Sequence, residues 1–211
     1  MRIDIKALTL YAVTDRSWLK PDECLADSVE ELLKAGITCV QLREKEADDE
    51  FFLREAVELK ELCSRYGVPL IINDRPDIAQ KAGASGVHVG LSDMGIEKAR
   101  EYLGDGYIIG GSAHNVQEAL AAQRAGADYL GCGAVFGSQT KRNVVALPAS
   151  ELKSICEAVQ IPVVAIGGIS RRNILSLAGT GIDGVAVVRA LFAAENKTAA
   201  TEELLQLIEQ L

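Results

Sequence analysis

The sequence predicts one α/β domain, a closed (β/α)8 barrel of the TIM type, and three observations predict it. Short β-branched runs alternate with longer stretches of helical periodicity across all 211 residues, as βα units feeding a parallel sheet would. The strand runs are apolar throughout, as in Leu70-Ile71-Ile72 and Val163-Val164-Ala165-Ile166. That suits strands covered on both faces rather than the alternation of a half-exposed antiparallel sheet. Eight such runs give βα units averaging about 26 residues, short but sufficient for closure. An open doubly wound sheet would place a glycine-rich turn after the first strand, and Val13-Thr14-Asp15-Arg16-Ser17 contains no glycine.

Taken in order, strand one is expected over 8–14 and a helix over 22–35, where Leu25, Val29, Leu32 and Leu33 keep the spacing of one buried face. Strand two follows at 39–43, and Phe52, Ala56, Leu59 and Cys63 mark the next helix face. Strands three, four and five fall at 69–73, 86–90 and 107–111. Strand six, at 129–135, leads into the longest irregular stretch, 136–147, which overhangs the catalytic face in a barrel and is a candidate lid. Strands seven and eight occupy 162–167 and 184–188. A last helix over 201–211 keeps Leu204, Leu205, Ile208 and Leu211 on one side. Gly36, Gly83, Gly126 and Gly181 each stand where a helix should end, a position that takes a left-handed cap. No linker divides the chain, so the domain spans 1–211.

The balance of 22 basic and 30 acidic side chains, net charge −8, argues against nucleic acid as a partner, because phosphate-backbone binding needs surplus Lys and Arg. A small anionic substrate remains open, since a pocket can gather a few cations beneath an acidic surface. No run approaches the roughly 18 apolar residues of a membrane helix and 1–5 lacks a signal-peptide core, so a cytoplasmic location away from membranes is expected. The five cysteines include no C-x-x-C pair, which favours buried reduced thiols over disulfides or zinc. Homo-oligomerisation stays open.

Polar residues gather where the apolar strands end. After strand two, alternation puts Gln41, Arg43 and Lys45 on one face and Leu42 and Glu44 on the other. The first set is either an anion site or a solvated charge run. Asp74 and Asp93 stand at the ends of neighbouring strands about 4.8 Å apart. They either share one hard cation, for which magnesium is best suited, or cap the helices that follow, with Asp77 a separate cap candidate. Ser138, Thr140 and Lys141 in the 136–147 loop can wrap phosphate oxygens. Gly167, Gly168, Val188 and Arg189 mark a second anion site after strands seven and eight, or the glycines merely serve a tight turn. His88 lies inside an apolar strand and reads as a hydrogen-bonded core residue. His114 is either an acid–base group or part of a helix N-terminus, and no Ser-His-Asp order is present.

In chain order, Tyr11-Ala12-Val13-Thr14-Asp15, Gln41-Leu42-Arg43-Glu44-Lys45, Ile72-Asn73-Asp74-Arg75, Gly86-Val87-His88-Val89-Gly90, Ser112-Ala113-His114, Thr140-Lys141, Ala165-Ile166-Gly167-Gly168-Ile169 and Gly184-Val185-Ala186-Val187 resemble the thiamine-phosphate synthase family. The resemblance implies a (β/α)8 barrel that joins 4-amino-2-methyl-5-hydroxymethylpyrimidine diphosphate to a thiazole phosphate. By that resemblance Gln41, Arg43, Lys45, Asn73, Ser112 and Lys141, with Leu42 and Glu44 in the same block, look like pyrimidine-diphosphate contacts. Asp74 and Asp93 look like magnesium ligands, and Ser138, Gln139, Thr140, Gly168, Val188 and Arg189 fall on the thiazole-phosphate positions. Arg43, Lys45 and Lys141 would carry the catalytic charge. The chain departs from the family pattern at Leu91 for a usual Gln, at Gly137-Ser138 for Pro-Thr, and at Arg189 for Ser. A thiazole tautomerase or a non-catalytic regulatory relative on the same barrel is the alternative.

Overall fold

Eight strands pair in parallel, each with its sequence neighbours, and the eighth returns to the first to close the barrel. This is a computed structural model, and it describes residues 3–90, 95–137 and 146–211. The strands are β1 (Leu10–Val13), β2 (Cys39–Leu42), β3 (Leu70–Asn73), β4 (Gly86–Val89), β5 (Ile108–Ala113), β6 (Tyr129–Gly133), β7 (Val163–Ile166) and β8 (Gly184–Val187). Three depart from expectation by two residues, among them β6, which ends at Gly133 rather than at Val135. Leu8 belongs to a 3-10 turn, Ile5–Leu8, started by the Asp4 side chain accepting from Lys6 N. β5 runs past Gly110 and Gly111, which read as a strand end, because Ser112 and Ala113 still pair with Gly131 and Cys132.

Six helices alternate with the strands: α1 (Leu25–Lys34), α2 (Asp49–Arg65), α3 (Pro76–Ala82), α4 (Ile96–Leu103), α5 (Val116–Arg124) and α6 (Ala149–Ala158). After β7 only a 3-10 turn, Ile174–Leu177, fills the helix position, and β8 leads into α7 (Arg189–Phe192) and α8 (Lys197–Ile208). α1 starts at Leu25 because Cys24 is extended and its Sγ accepts from Asp27 N. α8 starts ahead of the expected Thr201 because Asn196 caps it, accepting from Ala199 N at 2.8 Å. Gly36, Gly83 and Gly126 take the left-handed conformation at the ends of α1, α3 and α5, with φ of 102°, 62° and 93°. Gly181 does the same after the 3-10 turn.

The apolar residues form two shells. The outer joins Leu42, Ile72, Val87 and Leu130 of the strands to Val29, Leu32, Phe52 and Leu59 of the helices. The inner fills the barrel with Tyr11, Cys39, Ile71, Ile108, Tyr129 and Val164, and Ile3 and Leu8 pack at its N-terminal end. The strands therefore open only at their C-terminal ends, where polar side chains replace this filling. Cys39, Cys63 and Cys132 are buried, and burial pushes the Cys63 and Cys132 thiols up to about 12, so neither is an activated thiolate. Cys24, by contrast, is exposed.

Where α8 meets the start of α1, Lys197 Nζ donates to Glu23 Oε1 at 2.6 Å, and Ser28 Oγ donates to the same oxygen at 2.5 Å. These hydrogen bonds bring the Glu23 carboxyl down to about 2. A depressed carboxyl contributes stability that is complete above its unfolded value and is lost as pH falls through its folded value. Glu23→Gln is expected to cost about 2 kcal/mol at pH 7 and to flatten the fall in stability between about pH 5 and pH 2. Urea unfolding of both forms across that range checks it, and parallel curves would remove Glu23 from the acid response.

Candidate active site

The C-terminal ends of the strands surround a cavity of about 1170 Å³. That exceeds the usual range of about 300–1,000 Å³ for one small ligand, so there is room for two. Gln41, Arg43 and Lys45 line it while Leu42 and Glu44 do not, which resolves the charged segment after β2 in favour of a pocket wall. Leu42 is fully buried in the outer shell. Glu44 accepts from Arg16 Nε at 3.1 Å, and Arg16 also pairs with Glu55, tying the β1–α1 loop to α2. Arg43 is anchored by its backbone N–H donating to Thr14 Oγ1 at 2.9 Å. Burial pulls its guanidinium below the ordinary arginine value, with Asp15, Asp74 and Glu44 acting in the opposite sense.

Asn73 and Asp74 continue the wall at the end of β3. Asp74 has φ of 62°, the only positive value at a non-glycine residue among those described. It is held there by its N–H donating to the His88 carbonyl at 2.8 Å. Its Oδ2 accepts from Asn73 Nδ2 at 2.5 Å. Strain of this kind persists only where surrounding structure fixes it, commonly at functional sites. The cap reading of Asp74 does not hold: α3 begins with Pro76, and Arg75 occupies the cap position with no side-chain cap hydrogen bond. Asp77 lies in the first turn, gripped by the Arg75 fork through two 2.8 Å hydrogen bonds. Among the described residues no three metal-ligating side chains cluster, and Asp93 lies outside the described residues. Asp74 supplies one hard carboxylate facing the cavity, which fits magnesium, an ion that takes one or two protein carboxylates and fills its sphere with water and substrate phosphate.

Beneath this wall a polar chain crosses the barrel. Gln41 Nε2 donates to Tyr11 OH at 2.8 Å, Tyr11 OH meets Tyr129 OH at 2.9 Å, and His88 joins Tyr129 OH and Ser112 Oγ through its two ring nitrogens, each at 3.1 Å. His88 is thus the hydrogen-bonded interior residue expected, and it also faces the cavity. His114 sits on the rim, its Nδ1 3.0 Å from Glu118 Oε2 and its N–H on the same oxygen, in the first turn region of α5.

Gly167 and Gly168 face the cavity from β7, with φ of 104° and 66°. A Cβ on Gly168 would lie 2.9 Å from the carbonyl oxygens of Gly137 and Phe136, so the glycines also let the loop after β6 pack closely. Asn173, absent from the sequence reading, braces this turn by accepting from Ser170 N and donating to the Gly168 carbonyl. Val188 and Arg189 line the same side. The Arg189 guanidinium stands 5.1 Å over the Trp18 ring, an interaction with no local sequence signal. Ser138, Gln139, Thr140 and Lys141 lie outside the described residues. The described ends of their loop are fixed beside the Gly-Gly turn, Phe136 N donating to the Gly167 carbonyl and Leu147 N to the Ala134 carbonyl.

Tyr11 and Tyr129 were also missed. Inward alternation along β1 and β6 was the available signal, masked because aromatic residues in apolar strands read as core. Arg172, also unforeseen, adds a cation to the β7 rim.

The model of the thiamine monophosphate synthase family matches residues 10–191. A thiamine-phosphate synthase of Methanobrevibacter smithii is 48% identical over 199 residues, 94% of each chain. One of Clostridium acetobutylicum is 50% identical over 186 residues, 88% of each. Among solved structures, thiamine phosphate pyrophosphorylase from Pyrococcus furiosus aligns with a TM-score of 0.88 at 40% identity, covering 98% of both chains. A 3-hexulose-6-phosphate synthase at 16% identity and a TM-score of 0.69 shares the fold alone.

Proposed function

Because this chain belongs to the thiamine monophosphate synthase family, we propose a reaction for its cavity in terms of its own residues. The chain is an enzyme, a transferase that forms thiamine phosphate. The observation that carries the detailed reading is the convergence of two anion-ready walls on one cavity, Arg43, Lys45, Asn73 and Ser112 on the β2–β5 side and Gly168, Val188 and Arg189 on the β7–β8 side.

The first wall takes 4-amino-2-methyl-5-hydroxymethylpyrimidine diphosphate and the second a thiazole phosphate. The C–O bond to diphosphate breaks, its electron pair leaving with the diphosphate, and the pyrimidine methylene is left as a cation stabilised by the ring amino group. The thiazole nitrogen then donates its lone pair to form the C–N bond. No proton need move in either step. Arg43, Lys45 and Lys141 stabilise charge developing on the leaving group, a preorganised electrostatic effect that is often the largest single contribution to catalysis. Asp74 and Asp93 would hold magnesium, which when bound neutralises diphosphate oxygens. Leu42 packs in the outer shell and Glu44 pairs with Arg16, so these two support the first wall without lining the cavity. By the family resemblance Ser138, Gln139 and Thr140 would belong to the second wall, and the 136–147 loop would exclude water from the cation.

Incubating the purified protein with both substrates and magnesium is expected to yield thiamine phosphate and pyrophosphate. Conversion of the thiazole alone between tautomers, with no thiamine phosphate, would instead favour the tautomerase reading. Arg189→Ser is expected to raise the KM for thiazole phosphate about tenfold, the loss of one charge-assisted hydrogen bond, and to leave the KM for the diphosphate unchanged. Trp18 is the single tryptophan, so its fluorescence should respond to thiazole phosphate in the native protein and less in the variant. A lower KM in the variant would show that Arg189 obstructs the site.

A further inference from the structure

We propose that Gln41, Tyr11, Tyr129 and His88 form a one-way hydrogen-bond relay inside the barrel, and that Tyr129 is a positioning residue which, through His88, aims the Ser112 hydroxyl proton into the cavity. The catalytic consequence rests on the reading of Ser112 as a diphosphate contact, whereas the relay itself stands on geometry.

The room for it is built into the strand register. His88 of β4 pairs with Gly110 of β5, and Gly110 pairs with Tyr129 of β6. His88 and Tyr129 therefore stand at one level with a residue lacking a side chain between them, and they meet across the gap. A Cβ on Gly110 would lie 2.3 Å from Tyr129 Cζ and 2.5 Å from His88 Nδ1, and one on Gly131 would lie 3.0 Å from His88 Cε1. Glycine in a strand interior commonly marks such a close approach.

The direction follows from counting protons. An amide nitrogen only donates, so Tyr11 OH accepts from Gln41, and we assign its own proton to Tyr129 OH, the hydroxyl 2.9 Å away. Both phenols are buried, and burial holds both well above the ordinary tyrosine value, so each keeps one proton to give. Having accepted from Tyr11, Tyr129 donates to His88 Nδ1. His88 then carries its proton on Nε2 and donates it to Ser112 Oγ. Ser112 is left as an acceptor inside the barrel with its own O–H directed to the cavity, where an anionic oxygen is the natural acceptor. Had the Gln41 amide been turned over, every bond would reverse, His88 would carry its proton on Nδ1, and the Ser112 proton would be spent on the ring.

His88 and His114 are the only histidines, so the ring nitrogens of histidine-labelled protein can be assigned by NMR. The expected result for the native chain without substrate is His88 protonated at Nε2 and unprotonated at Nδ1. In Tyr129→Phe this preference should be lost, with turnover down about tenfold and the diphosphate KM changed less than about threefold. Tyr11→Phe, which cuts Tyr129 off from Gln41 but leaves the Tyr129–His88 pair, should weaken the Nε2 preference and lose less turnover than Tyr129→Phe, and an unchanged preference would take Gln41 and Tyr11 out of the relay. A native ring protonated at Nδ1 overturns the relay. A Tyr129→Phe protein with altered ring signals but native turnover overturns its role in positioning. If the native chain forms no thiamine phosphate, the functional reading fails and the NMR result still decides the relay. If Tyr129→Phe does not fold, the native ring signals and Tyr11→Phe decide it.

Discussion

Asp74→Asn is expected to lower turnover on the order of 100-fold or more, about 3 kcal/mol of transition-state stabilisation, while the fold survives. Asparagine is the informative replacement because Asp74 has φ of 62°, and Asn, like Asp, tolerates the left-handed region far better than other side chains. The backbone bond to the His88 carbonyl and the contact with Asn73 can both remain. What is lost is one negative charge on the cavity wall. Asp74→Ala removes the same charge but adds backbone strain of roughly 1 kcal/mol, so its melting temperature should fall further than that of Asp74→Asn. If the carboxylate serves as a magnesium ligand, Asp74→Asn should also need more magnesium for half-maximal rate, and Asp93→Ala should behave alike. Full turnover with unchanged magnesium dependence in Asp74→Asn would remove this residue from the reaction.

The barrel was legible because its signal is redundant. Each apolar strand run, each helical face and each terminal glycine carries the same message, and Leu25, Val29, Leu32, Phe52, Ala56, Leu59 and Cys63 are all buried as their spacing requires. The pocket wall after β2 was legible for the same reason: alternation alone separates Gln41, Arg43 and Lys45 from Leu42 and Glu44. Other features depend on partners distant in sequence. Nothing local distinguishes Arg75, which grips Asp49 and Asp77, from Arg43, which faces the cavity, although both follow an apolar strand. Tyr11 and Tyr129 are 118 positions apart and share a hydrogen bond, and Gly110 matters because of what its neighbours place above it rather than because of a turn. The short 3-10 turn after β7 was missed because Gly181 reads as a helix end whichever kind of helix precedes it. The Trp18–Arg189 contact joins the loop after β1 to the end of β8, neighbours only once the barrel has closed.

The largest loss from a single cation is expected at Arg43. Its guanidinium is partly buried and feels Asp15, Asp74 and Glu44, yet no described residue makes a direct salt bridge with it, in contrast to Arg16, Arg75 and Arg100. The wall thus holds a desolvated cation whose planar donors remain open to the cavity. Arginine's fork matches two oxygens of a phosphate at once, and lysine offers a single point charge in its place. Two charge-assisted hydrogen bonds of about 1.5–3 kcal/mol each, partly compensated by neighbouring cations, make a loss of roughly 3–4 kcal/mol for Arg43→Gln, a fall of about 100- to 1,000-fold in kcat/KM for the diphosphate. Arg43→Lys keeps the charge and loses the fork, so it should recover part of that, to within about 10- to 30-fold of the native value. The KM for thiazole phosphate should hardly move in either variant, because that ligand is read on the β7–β8 side. Steady-state kinetics with each substrate varied in turn separates these effects. Equal damage to both KM values would mean that Arg43 holds the cavity's shape rather than the leaving group. Native kcat/KM in Arg43→Gln would place the diphosphate elsewhere in the cavity, with Lys45 and Lys141 left to carry its charge.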